Sequence, residues 1–172
     1  MKNLKNLAVL VVLGITLLSC EKEESTPQLG TLQIGNDLYS LTHGILRHWG
    51  ELDEGQGNYI HILEVSNAQI EYFSSGNSNY NEGGIGINFE LYSSDPDLIL
   101  DGDYSYKGTH TPYSYILGDI FSHDSDKERL IRNGVIRFKN LDSGYEISFK
   151  GKTTVGDSVI CSYKGDLTTI DD

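Results

Sequence analysis

The chain has 172 residues, with 13 Lys and Arg against 25 Asp and Glu and a formal net charge of −12. That acidity repels a phosphate backbone and excludes nucleic-acid binding as a function class. Two cysteines, Cys20 and Cys161, are too few for a disulfide framework.

The chain opens on a short basic stretch, Met1 to Lys5, followed by an almost unbroken apolar run from Leu7 to Leu18 that ends at Ser19 and Cys20. This is the layout of a secretory signal. As a helix the run spans only ~18 Å against a hydrocarbon core of ~30 Å, too short for a stable anchor. Leu17-Leu18-Ser19-Cys20 resembles the lipobox of bacterial lipoproteins. The resemblance implies cleavage after Ser19 and attachment of lipid to Cys20, hence a membrane partner held through acyl chains of the palmitate kind. Cys20-Glu21-Lys22-Glu23-Glu24 resembles the export signal of Bacteroidetes-type surface lipoproteins, carried here by Lys22, Glu23 and Glu24. It implies display on the outer face of the outer membrane; the alternative is a periplasm-facing protein for which this stretch is only a tether.

Residues 1–19 carry Lys2 and Lys5 and no acid, so their removal leaves 153 residues at a formal charge of −14. That length suits one domain with a normal core. Residues 20–29, with Pro27 and no apolar periodicity, form a flexible tether, and 30–172 the folded part.

From Thr31 onward, short runs of Ile, Leu, Val, Tyr and Phe are punctuated by Gly, Asn, Asp and Ser. This is strand-and-turn chemistry. Thr31–Ile34, a turn at Gly35-Asn36-Asp37, and Leu38–His48 read as a first hairpin, with Tyr39, Leu41, His43 and Ile45 on one face. Gly50–Asn58 is a solvated loop. Tyr59–Ser66 is apolar on both faces at its start and predicts a central strand. Asn67–Phe73 is ambiguous, and Ser74–Gly84 is a long polar loop.

Ile85, Ile87, Phe89 and Leu91 alternate with Gly86, Asn88, Glu90 and Tyr92, predicting one core face and one wet face. Asp95-Pro96-Asp97 ends that strand. Tyr104–Lys107 and Tyr113–Ser122 are further strands. Asn133-Gly134 between apolar runs predicts a hairpin turn; the alternative is a helical turn opened by Ser125-x-x-Glu128. Val135–Lys139, Tyr145–Thr154 and Val159–Ile170 complete an antiparallel meander, with Tyr145, Ile147 and Phe149 facing in.

The pattern is all-β: an antiparallel β-sandwich of about eight to ten strands, with an up-and-down or calycin-like β-barrel as the alternative. Gly35-x-x-Leu38-Tyr39-x-Leu41, Gly134-Val-Ile-Arg-Phe and Ser162-Tyr163-Lys164-Gly165-x-Leu167 resemble a group of Bacteroidetes-type β-sandwich lipoproteins. No activity comes with that resemblance.

Acids cluster in loops, and Asp101 with Asp103 are the candidate ligands for a structural calcium ion; no other cofactor is implied. His43, His48, His61, His110 and His123 form no zinc spacing, and His43 and His61 read as core or boundary histidines. No Gly-x-Ser-x-Gly elbow occurs, and 25 acids single out no glycosidase pair. Cys161 alternates with Val159 and Tyr163 and reads as a small buried hydrophobe. Eleven tyrosines and one tryptophan are the more suggestive feature, since a ring with a polar tip suits a sugar or a protein partner. Trp49, Tyr104 and Tyr106 are the binding candidates. The expectation is a non-enzymatic lipoprotein that binds glycan or protein. The alternatives are an assembly subunit of an envelope complex, a hydrolase, or a barrel holding a small ligand.

Overall fold

A computed structural model describes residues 28–52, 55–72, 78–80, 83–123 and 128–171. The leader, Cys20, Lys22, Glu23, Glu24 and the candidate capping residue Ser125 lie outside the described residues. Thirteen strands run through the rest: β1 Gly30–Ile34, β2 Asp37–Leu41, β3 His43–Glu51, β4 Tyr59–Ser66, β5 Ile70–Tyr72, β6 Ser78–Tyr80, β7 Ile85–Ser93, β8 Gly102–Tyr106, β9 Ser114–Ser122, β10 Arg129–Asn140, β11 Tyr145–Thr153, β12 Ser158–Gly165 and β13 Thr168–Asp171. Eleven form one curled sheet in the order β13-β3-β4-β7-β9-β8-β10-β11-β12-β1-β2, and β5 pairs with β6.

The all-β expectation holds, but the strands make one continuous sheet where two facing sheets were expected. The sheet is mixed, because β13 pairs parallel with β3, and β8 with β9. Two crossings explain the curl. Thr42 alone joins β2, at one end of the strand order, to β3 near the other, and Asp166-Leu167 carry β12 across to β13. Thr42 N–H donates to the Ser66 carbonyl, and the Tyr163 hydroxyl donates to the Asp166 carbonyl at 2.6 Å while Leu167 is buried. The crossings hold the sheet rolled around its own apolar face, where Leu32, Leu41, Leu63, Phe89, Phe138, Phe149 and Tyr163 belong to one cluster. Phe89 of β7 and Phe149 of β11 meet across that interior at 4.8 Å. The interior between them is packed with side chains.

Three local expectations are corrected. Leu38–His48 is not one strand: the break at Thr42 leaves Leu41 in the main core, while Ile45 joins Phe121 in a second cluster. Asn133-Gly134 neither turns a hairpin nor closes a helix. It lies inside β10 at a bulge between Ile131 and Asn133, with Gly134 at φ +118°, where a Cβ would stand only 2.6 Å from the Lys150 carbonyl oxygen and 2.7 Å from the Gly151 Cα. The Asn133 side-chain carbonyl accepts the Lys152 N–H at 2.7 Å, so local turn chemistry becomes a strand irregularity once β11 pairs alongside. The second face of β7 is not simply wet, since Gly86 and Tyr92 are buried. Two longer runs also differ: Val159–Ile170 is not one antiparallel strand, since it breaks at Asp166-Leu167 and β13 pairs parallel with β3, and Ser74–Gly84 holds strand β6. As expected, β4 has neighbours on both sides, and Ile147 and Phe149 point inward from β11 while Ser148 and Lys150 point out.

Candidate functional site

Trp49 lies at the distal end of β3, where register slips from His48↔His61 to Gly50↔Ile60, making Trp49 the extra residue of a bulge. Gly50 takes φ +114°, a conformation that a side chain resists. The indole is 61% exposed. A bulge re-aims a side chain, and here it turns a large apolar ring toward solvent. The following loop is braced by the Glu51 carboxylate, which accepts the Gly57 N–H at 2.7 Å; such bonds hold the carboxyl below its usual range.

Just before the bulge, His48 and His61 meet Nδ1 to Nδ1 at 2.7 Å, ring edge to face. The Nε2 of His61 is 3.0 Å from the Asp95 carbonyl, which can only accept, so Nε2 carries the proton. In neutral His61 the Nδ1 is then an acceptor, and His48 donates to it. His61 is fully buried, and that burial pushes its pKa down; the charge of neighbouring His48 acts in the same direction, against the Asp95 carbonyl and the Asp95 and Asp97 charges. The loop that supplies the carbonyl is itself tied: Asp95 Oδ1 accepts from the N–H groups of Asp97 and Leu98, each at 3.0 Å. His61 is thus a satisfied boundary histidine, as its alternation predicts.

The neighbouring loop, residues 107–113, is cross-braced to this end of the sheet. The Asn58 side-chain amide donates to the His110 carbonyl, and the His110 ring packs edge-on to Tyr92 at 4.9 Å. Tyr113 sits at φ +59°, unusual for a residue with a Cβ, and is 40% exposed. Its ring tilts over Tyr104 at 5.4 Å and packs against Gly102.

Of the other sequence candidates, Tyr104 is fully buried and donates its hydroxyl to the Leu100 carbonyl at 2.9 Å. Tyr106 is half-buried against Tyr115 at 5.7 Å. Asp101 Oδ1 accepts from the Asn140 backbone and side-chain N–H groups, both at 2.7 Å, and Asp103 holds Arg137 in a two-point pair at 2.8 and 3.1 Å. These donors hold both carboxyls below their usual range. Among the described residues no group of three or more His, Cys, Asp or Glu could hold a metal ion.

Two features escaped sequence reasoning. Register aligns Glu64, Asn88 and Asp119 across β4, β7 and β9 on the outer face of the sheet. Burial pushes the Asp119 carboxyl up to about 6, and the charges of Glu64 and Glu128 add to it. Two strand spacings separate the acids by about 10 Å, and neither lines a described cavity. The other feature is a cavity of 360 Å³ whose lining includes Ile34, Asp37, Tyr39, Ile85, Arg129 and Asp157. It is assembled from segments far apart in the chain, and no local motif could signal it.

No protein-family model, no curated protein and no solved structure matches the chain.

Proposed function

We propose that this chain is a lipoprotein of the outer membrane, anchored through lipid on Cys20 and displayed on the outer surface. Its β-domain acts as a non-enzymatic binding module for glycan or protein. The observation that carries the binding part is Trp49, 61% exposed at a bulge that directly follows the His48–His61 register pair. An aromatic held on a rigid strand loses little entropy on contact, which suits it to anchor a partner. In fold terms, we read the rolled sheet as the single-sheet equivalent of a filled sandwich.

The test is to probe glycan and surface-protein arrays with the purified lipoprotein and with Trp49→Ala. Loss of an anchoring indole weakens binding by about 30-fold or more. A Trp49→Ala protein that binds every probe as its parent does would sink the rim as a binding site.

A second reading, an assembly subunit of an envelope complex, is favoured by β2, a terminal strand of the sheet order whose Leu38 is 67% exposed. Such an edge offers backbone groups and an apolar side chain to an added strand. Co-purification of envelope proteins that is lost in Leu38→Lys supports it; their retention argues against it.

A further inference from the structure

The outer face of the sheet's second half carries a feature that the rim does not explain. Five of the chain's thirteen Lys and Arg residues, Arg137, Lys139, Lys150, Lys152 and Lys164, project from the outer face of β10, β11 and β12. Among the described residues the acids placed near them are Asp103, Glu146 and Asp101, whose charge acts on Lys139, on a chain of net charge −12. The Asp103 carboxylate is spent on Arg137, and Glu146 stands between Lys139 and Lys164 in register; among the described residues Lys150 lies opposite Val135 and Ile160, and Lys152 opposite Asn133 and Ser158.

Register also gives this face a shape. Ser148, Ser162, Thr31 and Ser40 fall in one row across β11, β12, β1 and β2, with Arg137 at its head on β10. The row on one side is Lys150, Ile160, Gln33 and Leu38; on the other stand Glu146 and Lys164. Long side chains therefore wall a floor of small hydroxyl residues. Within the floor the Thr31 and Ser162 hydroxyls are hydrogen-bonded to each other at 3.1 Å. It runs across the strands for about 14 Å from Ser148 to Ser40, three strand spacings.

We propose that this trough binds an extended acidic polysaccharide. Hydroxyl groups on the floor match sugar hydroxyls, and lysines on both walls match carboxylate or sulfate groups spaced along the chain. A duplex, with one phosphate per ~1.7 Å, has far denser charge than these walls, and the face has no aromatic platform for single-stranded bases. A flat lipid surface would touch only the wall tips. The face is separate from the rim carrying Trp49, and the proposal stands whether or not that rim has a ligand.

The experiment uses the detergent-purified full chain against immobilised alginate (a uronate chain), heparin (a sulfated chain), neutral dextran and polyglutamate. Alginate or heparin is expected to bind in a salt-dependent manner, and dextran is not; the preferred one of the two identifies the acid. Lys150→Glu with Lys164→Glu lowers that affinity by about tenfold or more. Ser162→Leu, which fills the floor and leaves every charge in place, lowers it too, while Lys107→Glu leaves it unchanged. Each variant's circular dichroism and urea midpoint are compared with the parent's, since these positions are solvent-facing and the fold should be kept. Absence of binding to both acidic chains overturns the proposal. So does unchanged binding in Ser162→Leu, or polyglutamate binding as tightly as the polysaccharides, which would reduce the face to nonspecific charge.

Discussion

Asp119→Asn should make the protein more stable at neutral pH, and by an amount that depends on pH. Asp119 faces outward from β9 in register with Asn88, beyond which lies Glu64. Burial, reinforced by Glu64 and Glu128, raises its carboxyl from an ordinary 3.8 to about 6. Because the folded-state value is the higher one, the folded protein holds a proton between about pH 4 and 6 that the unfolded chain has released. Stability of the parent therefore falls as pH rises through that window and is flat above it. Two pKa units correspond to ~3 kcal/mol at full weight, and partial solvent contact reduces the expected cost to ~1–2 kcal/mol. Asparagine keeps the shape without the charge. Urea unfolding followed by far-ultraviolet circular dichroism at pH 4, 5, 6 and 7 should give equal free energies at pH 4 and a gain of ~1–2 kcal/mol for the variant at pH 7. Parallel free energies at every pH, or a variant weaker at pH 7, would refute the account of a desolvated, acid-crowded carboxylate.

Phe149→Ala removes the ring that contacts Phe89 at 4.8 Å and Tyr115 at 6.4 Å, and should cost ~3–5 kcal/mol in the same urea assay. Cys161 is buried and its thiol is pushed up to about 12, so a thiol reagent at pH 8 should label it only after denaturant is added. Burial depresses the His61 pKa from its ordinary 6.5, so that contribution to stability is present above pH 6.5 and lost as pH falls below it. In an Asp119→Asn background, His61→Gln should flatten that acid-side decline, which acid titration of unfolding midpoints will detect. Trp49 is the only tryptophan and is 61% exposed, so the native protein should show red-shifted emission that iodide quenches readily; blue, shielded emission would contradict the bulge geometry.

Much of the fold was legible because burial writes its period into the chain. The alternation at Ile85, Ile87, Phe89 and Leu91 marks β7, and the double-sided apolar start of Tyr59–Ser66 marks a strand with two neighbours. Asn133-Gly134 misled because turn propensity is local, whereas β10 pairs with β8, β9 and β11 and keeps the chain extended. The one-residue crossing at Thr42 was equally hidden, since nothing near it in sequence says that β3 joins the far end of the strand order. Trp49 was readable as an exposed ring at a strand end. Tyr104 was misjudged although the signal was present: Asp103 and Ser105 flank it in a short alternation that turns it inward. The Glu64–Asn88–Asp119 row and the hydroxyl floor depend on register between distant strands, which a single sequence does not carry.

The measurement that bears most directly on the central claim is protease accessibility on intact cells of the native protein beside a Lys22→Ala, Glu23→Ala, Glu24→Ala variant. An envelope binding module with its rim and sheet face turned outward predicts that the native β-domain is shaved from the cells, and that the variant is protected until the outer membrane is opened. Protection of both proteins would contradict surface display, reduce residues 21–24 to a tether, and leave the assembly-subunit reading as the stronger account of this fold.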